Sequence, residues 1–296
     1  MIVHNNAQPA KPARVVLLGA HGFISAVLRR RLEGEGIETL AVSSADVDLT
    51  SLTAADRLAA LLRSTDSVVM LAAITPDRGR DAASLVKNLA MMHGVCAALG
   101  KRGCAHFVYF SSDAVYGPAP SLVSEATPAA PGDLYGTMHL ARELMAKEIS
   151  GLPLLVLRPT GVYGSGDTHN SYGPNRFRRS ARKEARIQLF GGGEETRDHV
   201  HVDDVAEIAA RCLARRSTGV LNVASGRSVS FRELVGMVAK QFTTPVEIVE
   251  TPRVSSVAHR HYDATALVKA FPGFRFIGLE DGVARCHREM MERSDG

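Results

Sequence analysis

Two glycines with two residues between them are the feature of the sequence with the clearest chemical use. Gly19 and Gly22 follow the apolar run at residues 14–18 and precede an amphipathic stretch that begins at Phe23. A strand, a glycine turn and a helix in this order predict a βαβ unit, in which Gly19 allows a tight turn and Gly22 lets the backbone approach a pyrophosphate. The amide groups at the start of the helix would hold the phosphate charge. Ser25 replaces the third glycine of the usual spacing, so we expect a slightly looser contact between strand and helix.

Strands and helices alternate around this turn, and they are the elements that must position it. Strand-like runs lie at residues 14–18, 39–42, 67–71, 106–110 and 154–157, and helical stretches lie at residues 23–33, 54–62, 82–99 and 134–149. This alternation, with nearly continuous apolar strands, predicts an α/β fold with a doubly wound parallel sheet of the Rossmann type.

The pattern changes after about Gly164, where Gly, Asn and Arg become frequent. We expect a dinucleotide-binding Rossmann domain over residues 13–165 and a smaller C-terminal substrate-binding lobe over most of residues 166–296, with residues 199–223 returning to the first domain. Ser230 and Glu233 predict a capping box that opens a helix over residues 233–241. Residues 1–12 contain two prolines among small polar residues and predict a loose tail.

Composition limits the class of protein. With 296 residues, 45% of them hydrophobic, the chain can build a globular core. No run approaches about 18 apolar residues, so we expect neither a secretory signal nor a membrane span. The four cysteines include no Cys-x-x-Cys pair, which favours reduced thiols in a cytoplasmic protein.

The net charge of +4 is concentrated in an arginine-rich stretch at residues 176–186. On a helix, Arg178, Arg182 and Arg186 would share one face through their four-residue spacing. Such a face is either solvated or turned toward an anion, and the sequence leaves both interpretations open. No aromatic platform accompanies the arginines, so we expect no nucleic-acid partner.

Further motifs follow the glycine turn in order. The chain reads Tyr-Phe-Ser-Ser-Asp-Ala-Val-Tyr-Gly at residues 109–117, Glu-Ala-Thr-Pro at 125–128, Tyr-Gly-Thr-Met-His at 135–139, Arg-Pro at 158–159, Val-Tyr-Gly at 162–164 and Arg-Asp-His-Val-His-Val-Asp-Asp at 197–204. Together with Leu-Ala-Ala at 71–73, these motifs resemble the extended short-chain dehydrogenase/reductases, and more narrowly the nucleotide-sugar epimerases and dehydratases. The resemblance extends from about residue 14 to about residue 290.

The resemblance implies reversible hydride transfer between a nicotinamide ring and a carbon of a nucleoside-diphosphate sugar. Tyr135 matches the family tyrosine that takes or returns the hydroxyl proton, and Ser112 matches the hydroxyl residue that orients the sugar oxygen. Asn88, in the predicted helix at 82–99, matches an asparagine that supports the site.

His139 departs from the family pattern, which has a lysine at this position. The lysine ammonium contacts the nicotinamide ribose and lowers the pKa of the tyrosine, whereas a histidine is mostly neutral at neutral pH. Three interpretations follow: a slower or more alkaline enzyme, a positive charge supplied from elsewhere, or a cofactor-binding protein that has lost catalysis. Lys147 lies too far along the helix to substitute.

Asp113 and Ala114 bear on the type of reaction. Dehydratases of the family have an Asp-Glu pair at these two positions, which supplies an acid and a base for elimination of water. This chain keeps Asp113 but has Ala114, which disfavours elimination and favours an epimerase or a 4-keto reductase. Asp113 would either take part in the chemistry or only cap the end of a strand.

The diphosphate of the substrate needs cations. Arg197 matches a family arginine that holds the diphosphate, and Arg253 fits a second one by its spacing to Asp263, with Arg260 as its competitor. Asn175 resembles an asparagine that contacts the same diphosphate. Guanidinium groups suit this task because they bond phosphate oxygens in pairs.

The resemblance also implies the residues that hold the cofactor. Ser43 and Ser44, after the second strand, could bond ribose hydroxyls or a 2′-phosphate, and no arginine beside them favours the phosphate, so NAD is slightly favoured over NADP. Asp48 and Leu49 resemble the pair at the adenine edge. The remaining cofactor-binding candidates are Gly19, His21, Gly22, Phe23, Ile24, Leu71, Ala72, Ala73, Tyr135, His139 and Pro159.

Two His-x-His pairs are candidate metal ligands. His199 and His201 have zinc-ligand spacing, but alternation along a strand gives the same spacing, and the pair lies inside a motif that binds no metal in the family. His259 and His261 are interpreted in the same way, so we expect no metal site. In the family, the helices matching residues 82–99 and 134–149 pair between subunits, which predicts a homodimer.

The resemblance and the departures from it lead to two hypotheses. The first is an NAD(P)-dependent nucleotide-sugar epimerase or 4-keto reductase with Tyr135 as acid and base. The second is a catalytically silent NAD(P)-binding regulatory or scaffold protein, because the family lysine is replaced by His139.

Overall fold

The computed structural model describes residues 2–118, 121–253 and 256–292. The strands in these residues are β1 (Val3–His4), β2 (Val15–Leu18), β3 (Thr39–Val42), β4 (Ser67–Met70), β5 (His106–Phe110), β6 (Leu122–Val123), β7 (Leu154–Pro159), β8 (Gly161–Tyr163), β9 (Arg186–Phe190), β10 (Thr196–His201), β11 (Ser217–Val223), β12 (Ser228–Ser230), β13 (Glu247–Thr251) and β14 (His261–Tyr262). The α-helices are α1 (Phe23–Gly34), α2 (Ala54–Leu61), α3 (Ala82–Arg102), α4 (Leu134–Lys147), α5 (Pro174–Glu184), α6 (Val202–Ala214), α7 (Phe231–Ala239), α8 (Thr265–Ala270) and α9 (Leu279–Glu292).

The main sheet confirms the predicted α/β fold class. Its strand order is β1-β11-β7-β5-β4-β2-β3, and its pairs are parallel except for the antiparallel edge pair of β1 with β11. The direction of chain winding reverses between β2 and β4. Ligands of doubly wound sheets bind outside the carboxyl ends of the strands at such a reversal.

Alternation along the buried strands sends successive side chains to opposite helical layers. Val15 and Leu17 pack with Leu28 of α1 and with α6, whereas Val16 and Leu18 pack with α2 and α3. Because both faces of the sheet are covered in this way, strands such as β2 and β4 are apolar and buried along most of their length.

Smaller sheets form outside the main sheet, mostly from strands that follow β7 in the chain. β10 pairs with both β8 and β12, β9 pairs with β13, and β6 pairs with β14. A separate apolar core, with Phe177, Ile187 and Leu234 among its members, packs α5, α7 and α9 around these strands. Ser230 and Glu233 form the predicted capping box at the start of α7, with both reciprocal bonds present. β11 lies in the main sheet; the division into two domains at residue 165 stays a prediction.

Two expectations from the sequence are wrong. Residues 3 and 4 form an edge strand, and His4 bonds both Ser217 Oγ (2.8 Å) and the carbonyl of Ala270 (3.0 Å), so this part of the N-terminus is not a loose tail. The three arginines do not share a helix face, because α5 ends at Glu184 and Arg186 begins β9. Arg178 is buried rather than solvated.

Helix α3 is long and apolar. By length and composition alone it is apolar enough to cross a membrane, and 33% of its most apolar window is buried. Val86 on α3 is 64% exposed, and Leu144 on the neighbouring α4 is 54% exposed. Both helices therefore present apolar side chains at the surface.

Candidate active site

The glycine turn lies at the reversal point of the main sheet. Gly19 has a φ of +107°, and a Cβ added there would lie 2.9 Å from the backbone nitrogen of Ala72, in the loop after β4. Only glycine fits this conformation and this close approach. Gly22 is the N-cap of α1, and the first turn of that helix has no side-chain cap and no acidic residue. Its free amide groups suit a bound phosphate.

The other residues predicted at this end of the site surround the turn. His21 is exposed, Ile24 is half-buried, and Phe23 packs under Gly164 and Gly166. Ser25 is buried, and its hydroxyl has no hydrogen-bond partner among the described residues. Leu71, Ala72 and Ala73 form the facing loop, and Pro159 ends the buried strand β7.

The carboxylate of Asp46 lies past the end of β3, and the sequence analysis did not single it out. Both the amide and the hydroxyl of Ser43 donate to Asp46 Oδ2, at 2.8 and 2.6 Å. These two bonds lower the pKa of Asp46, with smaller contributions from the nearby His21 and Arg57. The Ser-x-x-Asp spacing was the available signal, because a carboxylate three residues on can close such a turn.

The predicted pair at the adenine edge has other local roles. Asp48 accepts bonds from the amide (2.9 Å) and hydroxyl (2.7 Å) of Thr50. Leu49 is buried in the core beside α2 and α3. Ser44 is exposed next to the half-buried Ser43. The Asp48 carboxylate is therefore already hydrogen-bonded to Thr50 within its own turn.

Tyr135 meets Ser112 because two helix starts are packed together. Ser112 caps the 3₁₀ helix Asp113–Val115, and Asp133 caps α4 by accepting from the Gly136 amide at 2.8 Å. A Cβ on Gly136 would lie 2.3 Å from the carbonyl oxygen of Ala114, so only glycine allows this contact. The Ser112 hydroxyl thereby lies near the Tyr135 phenol and acts to lower its pKa.

The electrostatic surroundings of Tyr135 oppose its ionisation. Burial, and then the nearby carboxylate of Asp113, raise the pKa of Tyr135 to about 12, although the Ser112 hydroxyl acts in the opposite direction. Asp113 accepts a bond from the Tyr262 hydroxyl at 2.7 Å and one from Ser112 Oγ at 3.3 Å. Its carboxylate thus lies in the site beside Tyr135, and the cap of the short helix is Ser112.

Asn88 acts on the loop that faces the glycine turn. It is buried, its Oδ1 accepts from the Ile74 amide at 2.9 Å, and its Nδ2 donates to the Ile74 carbonyl at 3.1 Å. Nδ2 also donates to the carbonyl of Ser84 at 3.0 Å. Asn88 therefore fixes the course of the loop after β4.

His139 is buried one turn along α4 from Tyr135. Its Nδ1 bonds the Tyr109 hydroxyl at 2.7 Å, and its Nε2 is buried with no partner among the described residues. The rings of His139 and Tyr135 meet edge to face, with centres 4.7 Å apart. Burial, and the nearby Arg142, lower the pKa of His139 to about 3, so the ring is neutral at neutral pH. Arg142 was not singled out in the sequence.

Arg197 and Arg260 are the cations that the structure brings together. Burial, and then the nearby Arg260, lower the pKa of Arg197, whereas Glu195 and Asp113 act in the opposite direction. Arg197 donates to the carbonyls of Thr196 and Ala258. Arg260 donates to the Gly117 carbonyl. Among the described residues, neither guanidinium forms an ion pair with a carboxylate within 4.0 Å.

Arg253, the first choice for the second phosphate-binding arginine, is engaged elsewhere. It forms ion pairs with Glu194 (2.6 Å) and with Glu195. Its charge is thus compensated by two carboxylates, and the competitor Arg260 stands beside Arg197 instead. Asn175, at the start of α5, is buried and accepts a bond from the Gly164 amide at 3.2 Å.

The His-x-His pairs have ordinary structural surroundings. His201 caps α6 by accepting from the Asp203 amide, and burial lowers the pKa of His199 to about 4. In the described ranges, no group of three His, Cys, Asp or Glu side chains could hold a metal ion.

The residues present fit a nicotinamide dinucleotide. The glycine turn leaves room for backbone approach, the start of α1 offers free amides, and the buried, unpartnered His139 Nε2 can bond a ribose hydroxyl. Fold and site together define a Rossmann protein with a tyrosine and a serine at the carboxyl edge of its sheet.

Comparison with known proteins identifies the family. The sequence model of the NAD dependent epimerase/dehydratase family matches residues 15–224, and the chain belongs to this family. As the resemblance in the motifs implied, it is a member of the extended short-chain dehydrogenase/reductases.

Individual relatives cover most of the chain. It is 30% identical over 267 residues to the dTDP-6-deoxy-L-talose 4-dehydrogenase (NAD(P)(+)) of Kitasatospora kifunensis, covering 81% of this chain and 83% of that protein. It is 25% identical to GDP-mannose 3,5-epimerase 1 of Oryza sativa subsp. indica, covering 93% of this chain and 81% of that protein.

Solved structures share the fold. MoeE5 in complex with UDP-glucose and NAD is 26% identical, with a TM-score of 0.80 over 96% of this chain and 100% of that one. RMD from Pseudomonas aeruginosa, complexed with NADPH, is 26% identical, with a TM-score of 0.82 over 95% of this chain and 99% of that one.

Proposed function

We propose that the protein is an NAD(P)-dependent epimerase or 4-keto reductase acting on a nucleoside-diphosphate sugar. The proposal rests on the placement of Ser112, at the start of the 3₁₀ helix, next to Tyr135, at the start of α4, at the carboxyl edge of the sheet. The glycine turn lies at this same edge, where ligands of such sheets bind. The proposal is supported by the family membership and by relatives whose names include both reaction types.

The proposed chemistry divides between cofactor and protein. When bound, the nicotinamide accepts a hydride from a sugar carbon or returns one to it. Tyr135 takes the proton of the sugar hydroxyl as the carbonyl forms, and returns a proton when the hydroxyl is restored. Ser112 lies beside Tyr135 and would hold the reacting oxygen within reach of the phenol.

The substrate class follows from the cations. Arg197 and Arg260 lie side by side, and neither is ion-paired with a carboxylate of the described residues. A diphosphate can accept several charge-assisted bonds from them. Relatives named for UDP-glucose, GDP-mannose and dTDP-sugar ligands or substrates support this class. Asp113, without a glutamate after it, favours epimerisation or reduction over elimination of water.

We further propose NAD as the preferred cofactor. The carboxylate of Asp46 folds back on Ser43 at the end of β3, where an adenosine ribose would lie in this fold. A carboxylate there accepts bonds from ribose hydroxyls and repels a 2′-phosphate. Solved relatives include complexes with NAD and with NADPH, so both cofactors belong in the test.

The assembly and compartment are proposed on separate grounds. The exposed apolar side chains of α3 and α4, such as Val86 and Leu144, would be covered in a homodimer. All four cysteines are free thiols, which supports a cytoplasmic protein.

The second candidate function is a catalytically silent NAD(P)-binding protein. It is favoured by His139, which is buried and neutral and so offers no ammonium beside Tyr135. Such a protein would bind the dinucleotide but would leave every sugar unchanged.

One experiment separates the two candidates. Purified protein is incubated with NAD or NADP and with UDP-, GDP-, dTDP-, CDP- and ADP-sugars, and products are analysed by mass spectrometry and NMR. Epimerised or oxidised sugar that depends on Tyr135 supports the proposal. Tight cofactor binding with no product from any sugar supports the silent protein.

A further inference from the structure

A buried guanidinium lies close to the proposed acid–base group. Arg142 on α4 has no exposed surface, and its side chain donates to the carbonyl of Ala72 at 2.9 Å and contacts Met138 Sδ at 3.7 Å. Among the described residues, the Arg142 Nε has no hydrogen-bond partner, and no carboxylate forms an ion pair with the guanidinium within 4.0 Å. The adjacent Glu143 is paired with Arg158 at 2.6 Å.

An unpaired buried charge opposes folding, because the desolvation of the ion is not offset by a counter-ion. Arg142 therefore contributes less to stability than an ion-paired arginine such as Arg158. Its carbonyl partner, Ala72, belongs to the loop that faces Gly19. Arg142 thus links α4 to the loop that faces the glycine turn, and its positive charge has no counter-ion among the described residues.

A chain of side chains leads from this charge to Tyr135. The guanidinium lies 5.4 Å from the centre of the Tyr109 ring, and its charge acts to lower the pKa of Tyr109, which burial raises. The Tyr109 hydroxyl bonds His139 Nδ1 at 2.7 Å, and the His139 ring meets the Tyr135 ring edge to face.

The charges around these groups favour Arg142 as the source of the positive field. Tyr135 faces Asp113 on the 3₁₀ helix and Asp133 at the start of α4, and both raise its pKa, whereas Arg142 lowers it. Arg142 also faces Tyr109 on β5 and the thiol of Cys96 on α3. Burial lowers the pKa of Arg142, but a guanidinium stays protonated in proteins.

We propose that Arg142 is the positioning residue that supplies positive charge to the Tyr135 site, acting through Tyr109 and His139 in place of a lysine at residue 139. The inference rests on the proposed function, in which Tyr135 is the acid–base group. It also explains how a neutral histidine is tolerated next to a phenol that must ionise.

The test measures the ionisation of the phenol directly. 3,5-Difluorotyrosine, a more acidic phenol than tyrosine, is incorporated at position 135, and its ¹⁹F signal is titrated with and without NAD in otherwise wild-type, R142Q and R142K proteins. R142Q keeps donors for the Ala72 carbonyl but removes the charge, whereas R142K keeps the charge. We expect the R142Q titration midpoint to rise by about one pH unit or more, which is roughly tenfold less phenolate, and R142K to stay near wild type.

Controls separate charge from packing. Arg178 is also buried and has an unpartnered Nε, but it lies on α5 outside this chain of contacts. R178Q should lower the melting temperature and leave the midpoint at position 135 unchanged. The double variant H139K/R142Q returns a cation to the site and should restore the midpoint. If R142Q does not fold, R142M gives the same comparison without the added polar group.

The outcomes are distinct. A midpoint in folded R142Q or R142M equal to that of wild type overturns the role of Arg142, as does an equal shift in R178Q. If the midpoint shifts as expected but no sugar is turned over by the unmodified protein, the charge relation stands and the proposed function fails. If turnover is present, its pH–rate profile must move with the midpoint.

Discussion

The arrangement of three arginines allows the substrate site to be tested one guanidinium at a time. Arg197 and Arg260 are neighbours, and in the part of the chain that the structure describes neither forms an ion pair with a carboxylate, whereas Arg253 is ion-paired with Glu194 and Glu195. We therefore expect R197Q and R260Q each to weaken the binding of a nucleoside diphosphate, and R253Q to leave it nearly unchanged.

The size of the effect follows from the bonds that are lost. A hydrogen bond to a charged group contributes about 1.5–3 kcal/mol. At about 1.4 kcal/mol for each tenfold change, the loss of one guanidinium–phosphate contact raises the dissociation constant by roughly 10-fold to 150-fold. R253Q removes only partly exposed ion pairs, and we expect a change of less than about threefold.

Isothermal titration calorimetry with UDP, GDP and dTDP, in the presence of NAD and at one fixed ionic strength, measures these constants. Circular dichroism confirms that each variant is folded. The reasoning is refuted if R253Q weakens binding as strongly as R197Q, or if R260Q binds like the wild type. Either result would place the diphosphate away from the Arg197–Arg260 pair.

Three further predictions concern other parts of the chain. Gly136→Ala should leave the circular dichroism spectrum unchanged but reduce turnover at least about tenfold, because the added Cβ would lie 2.3 Å from a backbone carbonyl and displace the start of α4. Asp46→Ser should shift the ratio of NADP to NAD affinity toward NADP by roughly tenfold in fluorescence titrations, and an unchanged ratio would exclude Asp46 from cofactor selection. Burial lowers the pKa of His106 to about 4 and that of His139 to about 3, so the unfolded chain binds more protons below about pH 6.5. Urea unfolding should therefore show full stability near pH 7 and a progressive loss toward pH 4, and a flat profile would contradict this.

Much of the fold was predictable because its signals are local. Apolar runs bounded by turn residues placed β2, β3, β5 and α1 within a residue of their observed bounds. Periodicity could not place the end of α3, which continues three residues beyond the predicted Leu99. β1 was missed because two residues carry no strand pattern, and its partners lie more than 200 residues away in β11.

The positions of site residues were predictable where the motif that contains them also requires a particular backbone conformation. Gly136 follows Tyr135, and its lack of a side chain is what lets Tyr135 approach Ser112. Arg142 and Asp46 had no such signal, because their roles depend on which groups the tertiary structure places beside them. The same holds for Arg253. Its spacing to Asp263 suited a phosphate-binding arginine, but its guanidinium forms ion pairs with Glu194 and Glu195.

The central claim, that Tyr135 exchanges a proton with a sugar hydroxyl while a hydride moves to the bound nicotinamide, is tested most directly by rapid mixing. Protein loaded with NAD is mixed with each nucleotide sugar, and the absorbance of reduced nicotinamide is followed for wild type and Tyr135→Phe. We expect reduction of the bound cofactor by at least one sugar in the wild type and a rate at least about 100-fold lower in the variant. Reduction at the same rate in Tyr135→Phe would contradict the account.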